Sequence, residues 1–204
     1  PPPPTQTVIV VEQQPAVTTT TYTLRPRRAL PHNRHGLSLR LAGVATGENG
    51  SLGGMLAAYR FRPVPHFALE FGAGVFGGED EQGSSRIETP LTVDALVFLN
   101  ARGRWQPYVL AGIGFSRARV DREGDLIDGF GDEIEYAYVG GQVGLGIEWR
   151  LTPHFALNAD VRGFVRTRID DEPEPEFVRV TETGIETTDT SGGALFTFGM
   201  NVSW

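Results

Sequence analysis

The ionisable residues that could do chemistry in this chain lie inside segments whose polarity alternates from one residue to the next. They are three arginines and four acids, all at even positions: Arg40, Arg60, Glu70, Asp94, Glu148, Asp160 and Arg162. A carboxyl group such as that of Glu70 or Glu148 could act as a general acid or base in a cavity of substrate size. Because arginines and acids share one face, we expect the seven side chains to pair as an interior ionic network instead.

The four histidines are poorly placed for nucleophilic catalysis. His32 and His35 lie near a linker junction, and His66 and His154 lie in short turns. A hydrolytic site needs a serine, a histidine and an acid that meet in space, and the pattern indicates no such set. The sequence therefore predicts no catalytic residue and no enzymatic activity.

Metal and cofactor sites are not indicated either. The chain has no cysteine, which excludes disulfides and thiolate ligands. One loop carries carboxylates that could bind Ca²⁺, at Asp121, Glu123, Asp125, Asp128, Asp132 and Glu133. Their spacing does not match an EF-hand, so we interpret them as a solvated acidic loop. The glycine pairs lie inside strands and form no phosphate-binding loop. We expect no metal and no cofactor.

Eight alternating segments position these residues. They run over residues 36–46, 51–62, 66–77, 87–99, 105–119, 134–150, 154–168 and 192–204. The second, fourth and sixth are followed by short turns, whereas residues 78–86, 120–133 and 169–191 form longer acidic connections; a brief connection lies around residues 48–50. This arrangement predicts an all-β, eight-stranded antiparallel up-and-down transmembrane β-barrel. The segment Pro65–Leu69 recurs as Pro153–Leu157, which places the first and third short turns at the same end.

The two faces of the segments decide between a membrane barrel and a soluble one. Odd positions of the first seven segments are apolar, among them the residues expected to contact lipid: Phe71, Val93, Ile113, Leu145 and Val161. An arginine facing lipid near mid-membrane costs about 2–4 kcal/mol, so a membrane barrel must point the charges inward. A soluble lipocalin-type barrel would reverse the faces. Glycine favours the membrane barrel, because Gly112, Gly144 and Gly146 share the charged face, where they make room in a narrow lumen.

Aromatic residues gather at the short-turn end. They are Phe61, Phe67, Trp105, Trp149, Phe155 and Trp204, and we interpret them as one girdle of a membrane interface.

At the other end of the barrel, Arg117 and Arg119 keep the outward parity of the fifth segment. Guanidinium groups bind phosphates as charge-assisted pairs, so both could contact lipid headgroups. The sequence supports equally well the alternative that both arginines pair with acids of the following loop.

Residues 1–34 differ in composition from the barrel segment, residues 35–204. Pro1 to Pro4 and the Thr18 to Thr21 run predict a flexible, disordered Pro- and Thr-rich linker.

The mean hydropathy of −0.18 does not exclude a membrane barrel, because the apolar residues alternate with polar ones. A net charge of −7 argues against nucleic acid as a partner.

Three segments carry a resemblance to a known family. The segments Pro107–Gly114 and Gly141–Pro153, together with a last strand that ends on the aromatic Trp204, resemble the OmpA-like outer-membrane barrel family. The resemblance implies a bacterial outer membrane, a periplasmic N-terminus, four surface loops and a C-terminal strand recognised by the barrel assembly machinery. Such families often continue into a peptidoglycan-binding domain; because this chain ends at Trp204, no cell-wall tether is expected.

Two functions follow as expectations. One is a structural or interaction role through the acidic surface loops, with outer-membrane lipids and lipopolysaccharide as partners and an unknown periplasmic partner for the N-terminal segment. The alternative is a narrow channel for ions or small solutes, gated by the interior ionic network. Eight strands leave a lumen just wide enough for side chains, which argues against a wide pore.

Overall fold

The structure, a computed structural model, describes residues 32–46, 51–79, 85–121, 133–170, 177–181 and 184–204. Within these ranges the chain forms ten strands. They are β1 (His35–Thr46), β2 (Ser51–Val64), β3 (Phe67–Glu79), β4 (Ser85–Phe98), β5 (Trp105–Asp121), β6 (Glu133–Arg150), β7 (Phe155–Arg168), β8 (Phe177–Thr181), β9 (Gly184–Thr188) and β10 (Thr190–Ser203). The described residues include no helix long and apolar enough to cross a membrane.

Eight of the strands form a closed antiparallel barrel. Strands β1 to β7 pair in chain order, and β10 pairs with both β7 and β1. The closing seam between β1 and β10 runs from Gly36↔Ser203 to Thr46↔Gly193. Closure leaves no edge with unpaired backbone groups, which a bilayer requires. The predicted eight-stranded up-and-down barrel is confirmed; the predicted linker, apart from residues 32–34, lies outside the described residues.

A short hairpin departs from the expected connection at residues 169–191. Strands β8 and β9 pair antiparallel there, from Phe177↔Thr188 to Thr181↔Gly184. The acidic composition of this stretch had indicated a loop without regular structure. Its β-branched residues, including Val178, Val180 and Ile185, favour strands and account for the hairpin.

The alternation of residues separates the lumen from the outer surface as predicted. In β1 to β7 the even-numbered residues are mostly buried, while the apolar odd-numbered residues are exposed: Phe71 is 46% exposed and Ile113 68%. In β10 the numbering is reversed, so that Leu195 is buried and Phe196 is exposed. Because the charged set faces inward, the soluble alternative is wrong. The interior is filled by an apolar cluster toward each end of the barrel, with the charged residues between them.

The repeated turn segments share a stabilising contact. Arg62 Nε donates a hydrogen bond to the carbonyl oxygen of Pro65 at 2.9 Å, and Arg150 Nη2 donates to that of Pro153 at 2.7 Å. In both copies an arginine at the end of one strand thus closes the turn three residues later. The two copies of the pattern thus share one contact between an arginine and a proline carbonyl oxygen.

One hydrogen-bond ladder of the barrel wall is interrupted. Strands β3 and β4 pair as far as Ala73↔Leu91 and resume at Phe76↔Glu88. The interruption contains Pro90, which has no backbone N–H to donate. The wall between β3 and β4 is therefore held less firmly in the half of the barrel that leads to the long loops.

Candidate functional site

Glu70 lies at the centre of the charged lumen and contacts all three arginines of the predicted network. Its Oε2 lies 2.6 Å from Arg40 Nη2 and 2.8 Å from Arg60 Nη2. Its Oε1 lies 3.7 Å from Arg162 Nη2. All four side chains are almost fully buried. One carboxylate thus links guanidinium groups that come from β1, β2 and β7.

The other three acids extend this cluster. Arg162 binds Asp94 through Nη1 at 3.0 Å and Asp160 through Nε at 2.7 Å. Arg40 Nη1 lies 3.4 Å from Asp160 Oδ2. Arg60 Nη1 is hydrogen-bonded to Glu148. The structure therefore brings all seven residues into one network of three cations and four anions, with a formal charge of −1.

Strand register explains why these side chains meet. Arg60 pairs with Glu70 across β2 and β3, and Glu70 pairs with Asp94 across β3 and β4. Directly paired residues of an antiparallel sheet point to the same face, so these three charges lie side by side on the lumen wall. Arg162 reaches them across the lumen from β7.

Neutral polar residues complete the network, and sequence reasoning missed them. Tyr108 OH donates to Asp160 Oδ2 at 2.9 Å, and Gln142 Nε2 donates to Asp94 Oδ1 at 2.6 Å. Asn201 Nδ2 lies 3.3 Å from Glu148 Oε2. Their inward positions, even in β5 and β6 and odd in β10, were the available signal, because every inward polar residue near the charges is a candidate partner. Buried charges need such additional hydrogen bonds to offset lost hydration.

Lumen glycines leave the space that the network occupies. A Cβ atom on Gly146 would lie 2.6 Å from the hydroxyl oxygen of Tyr108, and one on Gly112 would lie 2.5 Å from the carbonyl oxygen of Val93. Both distances are shorter than real Cβ contacts. The long polar side chains fit because the strands opposite them carry hydrogen atoms in place of side chains.

A second ionic cluster lies nearer the long loops and was not predicted. Arg166 Nη1 is hydrogen-bonded to Glu88 Oε1, and Arg86 Nη2 lies 3.6 Å from Glu88 Oε2. The guanidinium carbon of Arg166 also lies 4.3 Å from the centre of the Tyr138 ring. These residues share the inward parity of the network, so the same pattern could have identified them.

The predicted girdle residues lie at the short-turn end. Trp105 and Trp149 are cross-strand partners whose rings stack at 4.9 Å with an interplanar angle of 2°. The His35 ring lies 5.5 Å from that of Phe61 and 6.3 Å from that of Trp204. Phe67 and Phe155 are the first residues of β3 and β7, which start at this end.

Arg117 and Arg119 are exposed on the outer surface of β5. Arg119 Nη2 lies 2.8 Å from Glu135 Oε1 on the neighbouring strand β6. The guanidinium carbon of Arg117 lies 5.8 Å from the centre of the Phe115 ring. Arg119 thus pairs with an acid of the neighbouring strand, and lipid headgroup contact stays a prediction for both residues.

The histidines occupy structural positions. His66 Nδ1 lies 3.0 Å from the carbonyl oxygen of Phe98, and His154 Nδ1 lies 2.9 Å from that of Ser203. Burial and the positive charge of Arg62 lower the pKa of His32. Among the residues that the structure describes, no three His, Asp or Glu side chains are grouped to hold a metal ion.

An apolar exterior, a closed antiparallel wall and a charged lumen define the class of transmembrane β-barrels of the bacterial outer membrane. The chain belongs to the family described as the outer membrane protein beta-barrel domain, whose model matches residues 30–201. No curated protein was found whose sequence is similar to that of this chain.

Solved outer-membrane barrels share this fold. Neisserial surface protein A is 14% identical, with a TM-score of 0.55, over 83% of this chain and 96% of its own. OprG of Pseudomonas aeruginosa is 11% identical, with a TM-score of 0.54, over 84% and 96% of the two chains. The N-terminal barrel of OprF from the same organism is 13% identical, with a TM-score of 0.51, over 85% and 100%. At these identities the likeness concerns the fold alone.

Proposed function

We propose that this chain is a closed, non-enzymatic barrel that serves the outer membrane structurally and interacts through its long loops. The observation that carries the proposal is the ionic network, which crosses the lumen with residues that are almost fully buried. The cavity on its short-turn side measures only about 20 Å³, close to the space of one water molecule. A lumen filled in this way supports a structural role over conduction.

The proposed orientation places the short turns and the N-terminal segment in the periplasm and the long loops outside the cell. Long extracellular loops and short periplasmic turns are the rule for bacterial barrels. The acidic connections then face the exterior, where they would contact other molecules. The C-terminal strand would be recognised by the barrel assembly machinery, and a periplasmic partner would bind the N-terminal segment.

Conductance across a planar bilayer tests the proposed function. We expect purified, folded protein to show no regular single-channel steps, because the network leaves no continuous water path. The double variant Arg60→Ser/Glu70→Ser removes a cation and an anion together and should raise the current above that of the unaltered protein. Regular steps from the unaltered protein would instead support the narrow channel.

A second test concerns lipopolysaccharide at the outer rim. We expect Arg117→Ala/Arg119→Ala to lower the amount of lipopolysaccharide that co-purifies with the folded barrel, because phosphates lose two exposed guanidinium partners. The matched control is Arg102→Ala/Arg104→Ala, which removes two exposed arginines at the short-turn end. Equal lipopolysaccharide content in both variants and the unaltered protein would refute the headgroup contact.

A further inference from the structure

A cavity lies in the lumen between the central network and the long loops. Its volume is about 100 Å³. One wall is apolar, formed by Leu52, Leu56, Phe76 and Leu195, which form a buried cluster, together with Phe164, which packs against it. We refer to it as the upper-lumen cavity. Apolar cavities inside proteins stay dry and accept apolar guests, as an engineered cavity of about 150 Å³ accepts benzene.

Another part of the lining of the upper-lumen cavity is polar. It contains Glu88, which is only 6% exposed. Arg166 donates to Oε1 of this carboxylate; Oε2 lies 3.6 Å from Arg86 Nη2 but accepts no hydrogen bond from any residue the structure describes. Buried polar atoms are nearly always hydrogen-bonded, so a carboxylate oxygen without a hydrogen bond is suited to accept one from a ligand.

Two glycines, which have no side chain, enlarge the upper-lumen cavity. Gly114 and Gly140 are cross-strand partners that face the lumen and line it. A Cβ atom on Gly114 would make ordinary contacts at 3.4 Å with Leu91 and Thr92, so packing does not require glycine at this position. Pro90, in the interrupted ladder between β3 and β4, lines the cavity as well. The space is thus a feature of the lumen wall and does not come from one displaced side chain.

We propose that the upper-lumen cavity binds a small, mainly apolar molecule that carries one hydrogen-bond donor, such as a phenol or a short alcohol. The apolar part contacts Leu56, Phe76 and Leu195, and the donor meets the Glu88 carboxylate. Ligand sites in proteins combine a largely apolar lining with a few oriented polar groups, and this cavity has both. The site lies beside the network, so it can be occupied whether or not the barrel conducts.

Fluorine NMR with 4-fluorophenol tests this site in the folded protein in lipid nanodiscs. We expect a saturable, protein-dependent shift that empty nanodiscs do not give. Fluorobenzene, which lacks the donor, should bind about 5–10-fold more weakly, consistent with the loss of one hydrogen bond of about 1–1.5 kcal/mol. Equal affinities of the two probes, or no saturable binding of 4-fluorophenol, would overturn the proposal.

A pair of glycine variants locates the binding. Gly114→Val fills the cavity and should weaken 4-fluorophenol binding at least 10-fold. Gly163→Val makes the same change on the outer face of β7, where a Cβ atom meets nothing within 4 Å, and should leave the affinity unchanged. In the unaltered protein, the probe should show nuclear Overhauser contacts to the Leu56 and Leu195 methyl groups. Contacts only to Ile113 and Val143 would place it in the lipid and overturn the proposal, even if Gly114→Val failed to fold.

Discussion

Arg162→Met should lower the free energy of unfolding by about 3–5 kcal/mol, the typical loss when one partner of a buried ion pair is removed. Arg162 contacts Asp94, Asp160 and Glu70, and among the described residues it supplies the only cation within 4 Å of Asp94. The substitution takes the formal charge of the network from −1 to −2. Methionine keeps much of the side-chain length, so the loss reflects charge rather than an empty space.

Urea unfolding of the folded barrel in lipid vesicles measures this loss. Arg119→Ala is the matched control, because the pair of Arg119 with Glu135 is 63% and 52% exposed and should contribute only about 0–1 kcal/mol. In the double variant Asp94→Asn/Arg162→Met, the acid that lost its cation is neutral. The double variant should therefore lose less free energy of unfolding than the two single variants lose together, by about 0.5–3 kcal/mol. Equal losses from Arg162→Met and Arg119→Ala would show that the lumen pairs are solvated like surface pairs.

Gly199→Ala should destabilise the barrel by about 1–3 kcal/mol, the usual effect of overpacking a filled interior. The added Cβ atom would clash with the carbonyl oxygen of Leu39 and lie 2.6 Å from Arg40 Cα. Both are backbone atoms of β1, so the seam between β1 and β10 would have to move. The shift would also displace Arg40 from Glu70.

The control for this seam is Gly43→Ala. Gly43 lies on β1 and faces outward, and a Cβ atom there would meet nothing within 4 Å. Alanine at this position should be neutral or slightly stabilising, because glycine weakens a strand interior. Urea midpoints of the two variants provide the comparison. A Gly199→Ala midpoint as high as that of Gly43→Ala would mean that the seam tolerates side chains on both faces.

The faces of the barrel followed from the sequence because side chains alternate with a period of two. That rule assigns Arg60, Glu70 and Asp94 to the lumen without any knowledge of their partners. The particular pairs depend on register between strands distant in sequence. Arg162 meets Asp94 across 68 residues of chain, a contact that local pattern cannot specify.

Other features of the lumen required the three-dimensional arrangement. Gln142 and Tyr108 are neutral and did not stand out among inward residues until Asp94 and Asp160 were placed beside them. The upper-lumen cavity arises where Gly114 and Gly140 face the apolar cluster around Leu56, and no single segment contains that combination. The β8–β9 hairpin was missed because its composition resembled that of a solvated loop.

Spin-label accessibility tests the central claim that the apolar odd-numbered residues of β1 to β7 face lipid while the charges face the lumen. The chain has no cysteine, so Phe71→Cys, Val93→Cys, Ile113→Cys and Leu145→Cys each provide a single labelling site. In lipid vesicles we expect relaxation of these labels to be dominated by collisions with lipid-soluble oxygen rather than with a water-soluble nickel reagent. Dominance of the nickel reagent at the same four positions would contradict the account, because the apolar face would then meet water.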